Sequence, residues 1–322
     1  MDDKNHKHKS SKPSKNDCKR IRSINEITIM DLPRVIVVEI LKFLIGSCNG
    51  FICLLDGSTY DENHSVYINN PLLGEYFKLK LPEWDKSFYR VAYAFCFSEA
   101  SGQYKVLRFV VRKFWGGPEL SELEVYTLGV DKKWRNVGEV PYPVWDPIWD
   151  RFDKVYVSGA LHWMDVGKND SIYSFDIGTE KLKSLPAPPG LKTPLWRLKL
   201  VELGNCLCLI DYICRKRVDI WRMKEYGIAE SWTKDSILVD SLSPGTVKYN
   251  FEAILIWKNG EMSIRRGTKL ASYNPKEKKF RKVNVYGNVN AATRYIPSFY
   301  SLKTAMGDNF PVSNVYLKTQ II

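Results

Sequence analysis

Catalysis or metal binding needs histidines, cysteines and carboxylates at matched spacings, and this 322-residue chain offers few. Of its 4 histidines, His6 and His8 sit in a Lys/Ser-rich run that makes a poor metal site. The other two are His64 and His162. His162 stands beside Trp163 on a predicted inner strand, where a hydrogen-bonded structural imidazole is expected. Among the 7 cysteines, Cys48 and Cys53 could face each other across a hairpin, but no second pair stands at zinc spacing. Cys206 and Cys208 share one face of a strand and read as small buried hydrophobes, and Cys214 is isolated. Asp146 and Asp150 are paired acids in a Trp/Pro loop without a matched base. There is no Gly-rich phosphate loop and no Gly-x-Ser-x-Gly elbow. The chain is therefore expected to have no catalytic residue, no metal ligand and no cofactor, and to be no enzyme.

Its better candidates for chemistry are recognition groups on loops. Trp84 precedes Asp85-Lys86, Trp115 lies in Phe114-Trp115-Gly116-Gly117, and Trp145 and Trp149 occupy the stretch PYPVWDPIWDRF at 141–152. Aromatics on rigid, proline-rich loops suit a protein-binding face. They also suit the plainer task of covering the ends of neighbouring sheets, and both readings stay open. Nucleic-acid binding is disfavoured. The net charge is +12, but outside residues 1–25, which carry eight Lys/Arg against three Asp, the two signs are interspersed. The basic turn Cys214-Arg215-Lys216-Arg217 is too short to claim such a site.

The elements that must position these groups are short strands in a repeat. Residues 155–186 form the clearest unit: four short strands with tight turns, an antiparallel meander. A glycine of the first hairpin recurs at Gly50, Gly102, Gly159, Gly204 and Gly260, at intervals of 52, 57, 45 and 56. A third-strand aromatic recurs at Tyr67, Tyr126, Tyr173, Trp221 and Tyr273, expected to be core. A fourth-strand aromatic recurs at Phe77, Trp134, Trp232 and Phe280, with Leu182 in the remaining unit. Five such units fit a β-propeller, one meander per blade. A β-sandwich is the alternative, and it would not need the repeat. A propeller enzyme such as a glycosidase would require convergent carboxylates on one face of the ring.

Ahead of the repeats, residues 1–25 are polar and aperiodic and read as a disordered basic tail. Asp31 can then cap a helix with Pro33 in its first turn. Leu32, Val35, Ile36, Ile40, Leu41 and Leu44 fall on one helical stripe, which must bury against the following domain or a partner. No signal peptide or membrane-length apolar run is found, so an intracellular setting, cytoplasm or nucleus, is expected.

Two resemblances follow from these residues. Leu32, Pro33, Ile36, Glu39, Ile40, Leu41 and Leu44 resemble the opening of an F-box, the helical module that docks on a Skp adaptor of cullin-based ubiquitin ligases. The resemblance implies adaptor-binding roles for Leu32, Pro33, Ile36, Ile40, Leu41 and Leu44. Leu44 passes straight into Ile45-Gly46-Ser47, so about half of that module is missing. Gly46-Ser47-Cys48-Asn49-Gly50-Phe51 resembles the opening signature of the plant F-box-associated interaction domain. Val157-Ser158-Gly159-Ala160-Leu161-His162-Trp163, Tyr173-Ser174-Phe175-Asp176 and the terminal strand motif at 295–302 resemble its later signatures. That family implies an all-β, kelch-like β-propeller that recruits substrates to the ligase.

The expected layout is thus a tail over 1–25, a truncated F-box helix over 29–44, a propeller of about five recognisable blades over 45–303 and a tail over 304–322. The missing segment leaves ring closure open and is expected to strand the terminal motif near Phe299 without a partner. The implied function is substrate recognition for a cullin-based SCF ubiquitin ligase, with a Skp adaptor, a cullin and an unnamed target protein as partners. The alternative is a protein-binding module uncoupled from the ligase.

Overall fold

The computed structural model describes residues 35–37, 44–60, 62–112, 121–141, 145–146, 151–164, 171–195, 198–211, 217–238, 251–256, 260–266, 269–283 and 292–314. The first described strand, β1 (Val35–Val37), stands apart from five larger sheets. Each larger sheet is a sequential antiparallel meander. The first holds β2 (Leu44–Cys48), β3 (Phe51–Gly57), β4 (His64–Asn70) and β5 (Glu75–Leu79). The second holds β6 (Phe88–Ser98), β7 (Gln103–Arg112), β8 (Ser121–Thr127) and β9 (Arg135–Val140). A small ribbon, β10 (Trp145–Asp146) with β11 (Arg151–Phe152), follows.

The third blade is β12 (Lys154–Val157), β13 (Ala160–Met164), β14 (Ile172–Asp176) and β15 (Lys181–Leu185). The fourth is β16 (Lys199–Leu203), β17 (Cys206–Asp211), β18 (Arg217–Met223) and β19 (Trp232–Leu238). The fifth is β20 (Phe251–Ile256), β21 (Met262–Arg266), β22 (Lys269–Asn274) and β23 (Lys279–Val283). The described residues end with β24 (Ala292–Arg294), α1 (Leu302–Met306) and β25 (Ser313–Asn314).

All five repeating glycines sit between the first and second strands of their blades with positive φ, from +64° at Gly204 to +90° at Gly50. The reason is clearest at Asn49-Gly50, where φ values of 47° and 90° make the mirror-image turn whose twist matches that of the flanking strands. The blades pack face to face through apolar layers. Phe51, Val66, Ile68 and Phe77 of the first meet Val91, Phe95, Tyr104 and Val106 of the second. Ala94, Phe109 and Leu123 of the second meet Trp163 and Phe175 of the third. Further layers join the third to the fourth and the fourth to the fifth. β7 is buried from Tyr104 to Val111 because it has a blade on each side. Four of the five third-strand aromatics lie in or against these layers: Tyr126, Tyr173, Trp221 and Tyr273.

At the seam between the fifth and first blades the structure corrects the sequence reading. Val35–Val37, expected on a helix, is the strand β1, paired antiparallel with β24 through Val35↔Arg294, Ile36↔Thr293 and Val37↔Ala292. Leu44, placed at the end of the same helix, instead opens β2 opposite Leu54. Three consecutive β-branched residues favour extended backbone, and a helix of about 14 residues is marginal alone. An open edge at β24 supplies the backbone partners that decide the matter. Because β24 lies against both β20 and β2, the two-stranded ribbon bridges the seam that the short sequence left open. Residues 1–25 and the remainder of 29–43 lie outside the described residues.

The terminal motif is not a strand. Residues 295–301 run as an extended strap across the first hairpin, and α1 follows, capped by the Ser301 hydroxyl accepting from the Lys303 N–H at 3.1 Å. Asn70 Nδ2 donates to the carbonyls of Ser298 at 3.0 Å and Tyr300 at 2.9 Å. Glu75 accepts from Ser301 Oγ at 2.9 Å and from the Leu302 N–H at 2.6 Å. Leu302 and Met306 fill the layer between the first two blades. β25 then adds a fifth strand to the first blade beside β5, so residues 304–314, expected as a tail, belong to the fold.

Candidate functional site

Two of the concavities among the described residues bear on function. The first is the central cavity of about 1140 Å³, walled by the inner strands β2, β6, β12, β16 and β20 and by the strap at Tyr295 and Ile296. Glu99, Asp153 and Glu202 reach it, but Glu202 accepts from the Asn205 N–H at 2.6 Å and Asp153 from the Leu200 N–H at 3.4 Å. Both are engaged in holding turns and strand ends.

The second is a cleft of about 360 Å³ between the first two blades, built from β4, β5, the 80–87 connection and Arg108 of β7. Trp84 lies in that connection and is half-buried. Its indole meets His64 edge-on at 5.9 Å and Phe88 edge-on at 5.5 Å. His64 Nε2 shares a 2.7 Å hydrogen bond with the Tyr93 hydroxyl, whose pKa burial pushes well above the ordinary tyrosine range. Trp134 Nε1 donates to the Lys80 carbonyl at 2.9 Å and fixes the wall from outside. The guanidinium groups of Arg108 and Arg112 lie 5.3 and 5.0 Å from the Phe88 ring.

Arg108 is 1% exposed and donates through Nη1 to Glu124 at 2.8 Å, while its Nε has no hydrogen-bond partner among the described residues. Arg112 holds Glu122 at 2.8 Å and Asp85 at 3.0 Å. The Ser87 N–H first, and then Arg112, keep the Asp85 carboxyl below its usual range. The connection bearing Trp84 is therefore tied at both ends, which lowers the entropy lost when a partner seats on it.

Of the four tryptophans singled out from the sequence, Trp84 alone lies fully among the described residues. Trp145 begins β10, opposite Phe152, in the connection between the second and third blades. Trp115 and Trp149 lie outside the described residues. Of the six residues given adaptor-binding roles, Ile36 is in β1 and Leu44 in β2, two different sheets, and Leu32, Pro33, Ile40 and Leu41 lie outside. Sequence reasoning missed Arg108, Lys78, Lys80 and His64 as neighbours of Trp84. A lone arginine within the apolar run at 106–111 was the available signal, since a charge there must be paired or line a cavity.

His162 has the structural role expected of it. It is fully buried, its Nε2 is 2.7 Å from the Tyr226 hydroxyl, and that hydroxyl is 2.7 Å from Ser174 Oγ. Burial lowers its pKa to about 4, so the ring is neutral. Cys48 and Cys53 do not oppose each other; their register partners are Phe51 and Gly46, and both thiols are free and pushed up by burial. Cys206 and Cys208 share a face of β17 and pack in the core between the fourth and fifth blades. Among the described residues no group of three or more His, Cys, Asp or Glu could hold a metal, and no helix is long and apolar enough to cross a membrane.

Comparison with known proteins places this geometry. The family model described as the F-box associated beta propeller domain matches residues 2–308. The chain belongs to the F-box associated beta propeller family. F-box protein At3g07870 of Arabidopsis thaliana is 29% identical over 287 residues, covering 77% of this chain and 67% of the relative. F-box/kelch-repeat protein At3g23880 of the same plant is 26% identical over 196 residues, covering 59% of this chain and 51% of that protein. F-box protein CPR1, also of Arabidopsis thaliana, is 24% identical over 270 residues, covering 75% and 63%. The chain thus spans from about half to two thirds of the length of these F-box relatives.

Proposed function

We propose that this F-box associated propeller is a substrate-recognition module that grips a target protein for a cullin-based SCF ubiquitin ligase. The observation that carries the reading is the rigid, half-buried Trp84 at the wall of an inter-blade cleft, in a chain whose relatives are F-box proteins. Catalysis belongs to the ligase. The propeller contributes affinity and orientation, and a complete relative would reach the cullin through a Skp adaptor.

A second reading has its own support. Val35–Val37 is in β1, closing the ring, and a segment used in this way is not free to form an adaptor-binding helix. This favours a protein-binding module uncoupled from the ligase. Affinity capture of the full chain from plant extract, with mass spectrometry and a Skp adaptor added in excess, separates the two. The ligase reading expects adaptor and target in the same eluate. Targets without adaptor support the uncoupled module. If Trp84→Ala leaves the captured set unchanged, the cleft is not the target site.

A further inference from the structure

The lining of the Trp84 cleft is of two chemical kinds. One is apolar: Trp84, Leu79, Leu81 and Pro82. The other is polar and mostly basic: Lys78 and Lys80 are exposed at the rim and Arg108 closes the floor. His64 and Ser65 add hydrogen-bonding groups, and Glu62 is the single carboxylate in the lining. Glu124, outside the lining, neutralises Arg108 through Nη1, so the two rim lysines outweigh Glu62 among the lining charges.

The floor also carries an unfinished hydrogen bond. Arg108 is 1% exposed, and its Nε has no acceptor among the described residues. A buried donor left without a partner costs about 1–3 kcal/mol, more when the group is charged. That nitrogen is closed off from the opening, so the groups that can meet an acidic side chain are the exposed ammonium groups of Lys78 and Lys80. Lys78 holds its ammonium 5.7 Å from the Tyr67 ring, and Lys80 lines the same opening.

We infer that the cleft takes a short acidic segment of the target protein, an Asp or Glu side chain directed to Lys78 and Lys80 with an adjacent apolar residue seated on Trp84. The volume of about 360 Å³ holds one or two side chains, not a folded surface. The segment therefore enters as an extended peptide across the groove between the first two blades. This inference rests on the reading of the chain as a target-binding propeller and adds the chemistry of what it grips.

The test pans the full chain against a phage-displayed library of randomised nonapeptides. Enriched peptides are expected to share an acidic residue next to an apolar one. A synthetic copy of the best peptide should bind the Lys78→Glu/Lys80→Glu variant about tenfold more weakly, and an Asp→Asn copy should lose binding to the parent protein by a similar factor. Both lysines are exposed, so the variant keeps the fold, and an unchanged circular dichroism melt verifies it. Enrichment without acidic residues, no enrichment, or equal binding by the charge-reversed protein overturns the inference. So does an oligonucleotide that displaces the peptide and binds more tightly at the same residues. Running the charge-reversed variant through the extract capture separates the two levels. An unchanged set of captured targets removes the acidic assignment alone, whereas no captured target in the parent protein removes the protein-binding reading beneath it.

Discussion

Asn70 allows the sharpest perturbation. Its side chain is fully buried and each of its hydrogen-bonding positions is used. Oδ1 accepts from the N–H groups of Leu72 at 3.0 Å and Leu73 at 3.3 Å, which shapes the turn between β4 and β5. Nδ2 donates to the carbonyls of Ser298 and Tyr300, 228 and 230 positions away, which holds the strap on the ring. Asn70→Asp changes almost no volume. It replaces the donor with an oxygen facing two carbonyl oxygens at about 3 Å, while the turn keeps its acceptor. Two hydrogen bonds worth about 1 kcal/mol each are lost, and a buried charge meets like partial charges, so the strap should be destabilised by about 3 kcal/mol at neutral pH. Hydrogen–deuterium exchange followed by mass spectrometry reads this locally. Amides in 295–306 should exchange roughly a hundredfold faster, while those of β16–β19 on the far side of the ring stay as they were. Asn70→Ala should give a loss of similar size. Unchanged protection in 295–306 for Asn70→Asp would refute the idea that this amide fastens the strap.

Three further outcomes are expected. At Gly50, φ is +90° and an added Cβ would lie 2.3 Å from Ser298 Cβ, so Gly50→Ala should cost about 2–4 kcal/mol; Gly102→Ala, with the same handed backbone but open space, should cost about 1 kcal/mol, and urea melts showing equal losses would count against the close approach. Glu180 joins the second and third blades; the Arg135 side chain first, and then Lys105, hold its pKa at about 2 against an ordinary 4.5, so its contribution is present above about pH 4.5 and is lost as pH falls toward 2. After discounting for its partly solvated position this is about 1–2 kcal/mol, so the stability gap between the parent and Glu180→Gln should narrow from pH 6 to about pH 3, and a constant gap would contradict the linkage. Tyr226→Phe removes the hydroxyl that links His162 Nε2 to Ser174 Oγ and should lower stability by about 1–3 kcal/mol; a thermal melt indistinguishable from the parent would show that water replaces the hydroxyl without loss.

How much of this was legible in the sequence depended on the range of the interaction. The hairpin glycines were readable because positive φ is a local demand that glycine meets at little cost, and five of them at blade spacing give the architecture. The third-strand aromatics were readable because one face of each strand must be buried. The stretch from Val35 to Leu44 was misjudged because a short apolar run fits both periods, and the deciding partner, Ala292–Arg294, lies more than 250 residues away. Asn70 was visible as a turn former before Pro71, yet nothing local shows that its amide also holds the strap. Trp84 stood out by type. The basic floor beneath it did not, since Arg108 reaches the cleft only once β7 packs between its neighbours.

The strap also sets an order on synthesis. Gly50, Asn70 and Glu75 emerge from the ribosome some 230 residues before Ser298–Leu302, a delay of roughly 10 to 50 s at ordinary elongation rates. Over that interval the first blade is present without Leu302 and Met306, the side chains that complete its core, and without β25 on its outer edge. The nascent chain therefore exposes a sticky, half-built blade for most of its translation, which is the state that chaperones bind. A premature stop before Tyr295 would yield an unsealed ring and a substrate for quality control, not a smaller working propeller.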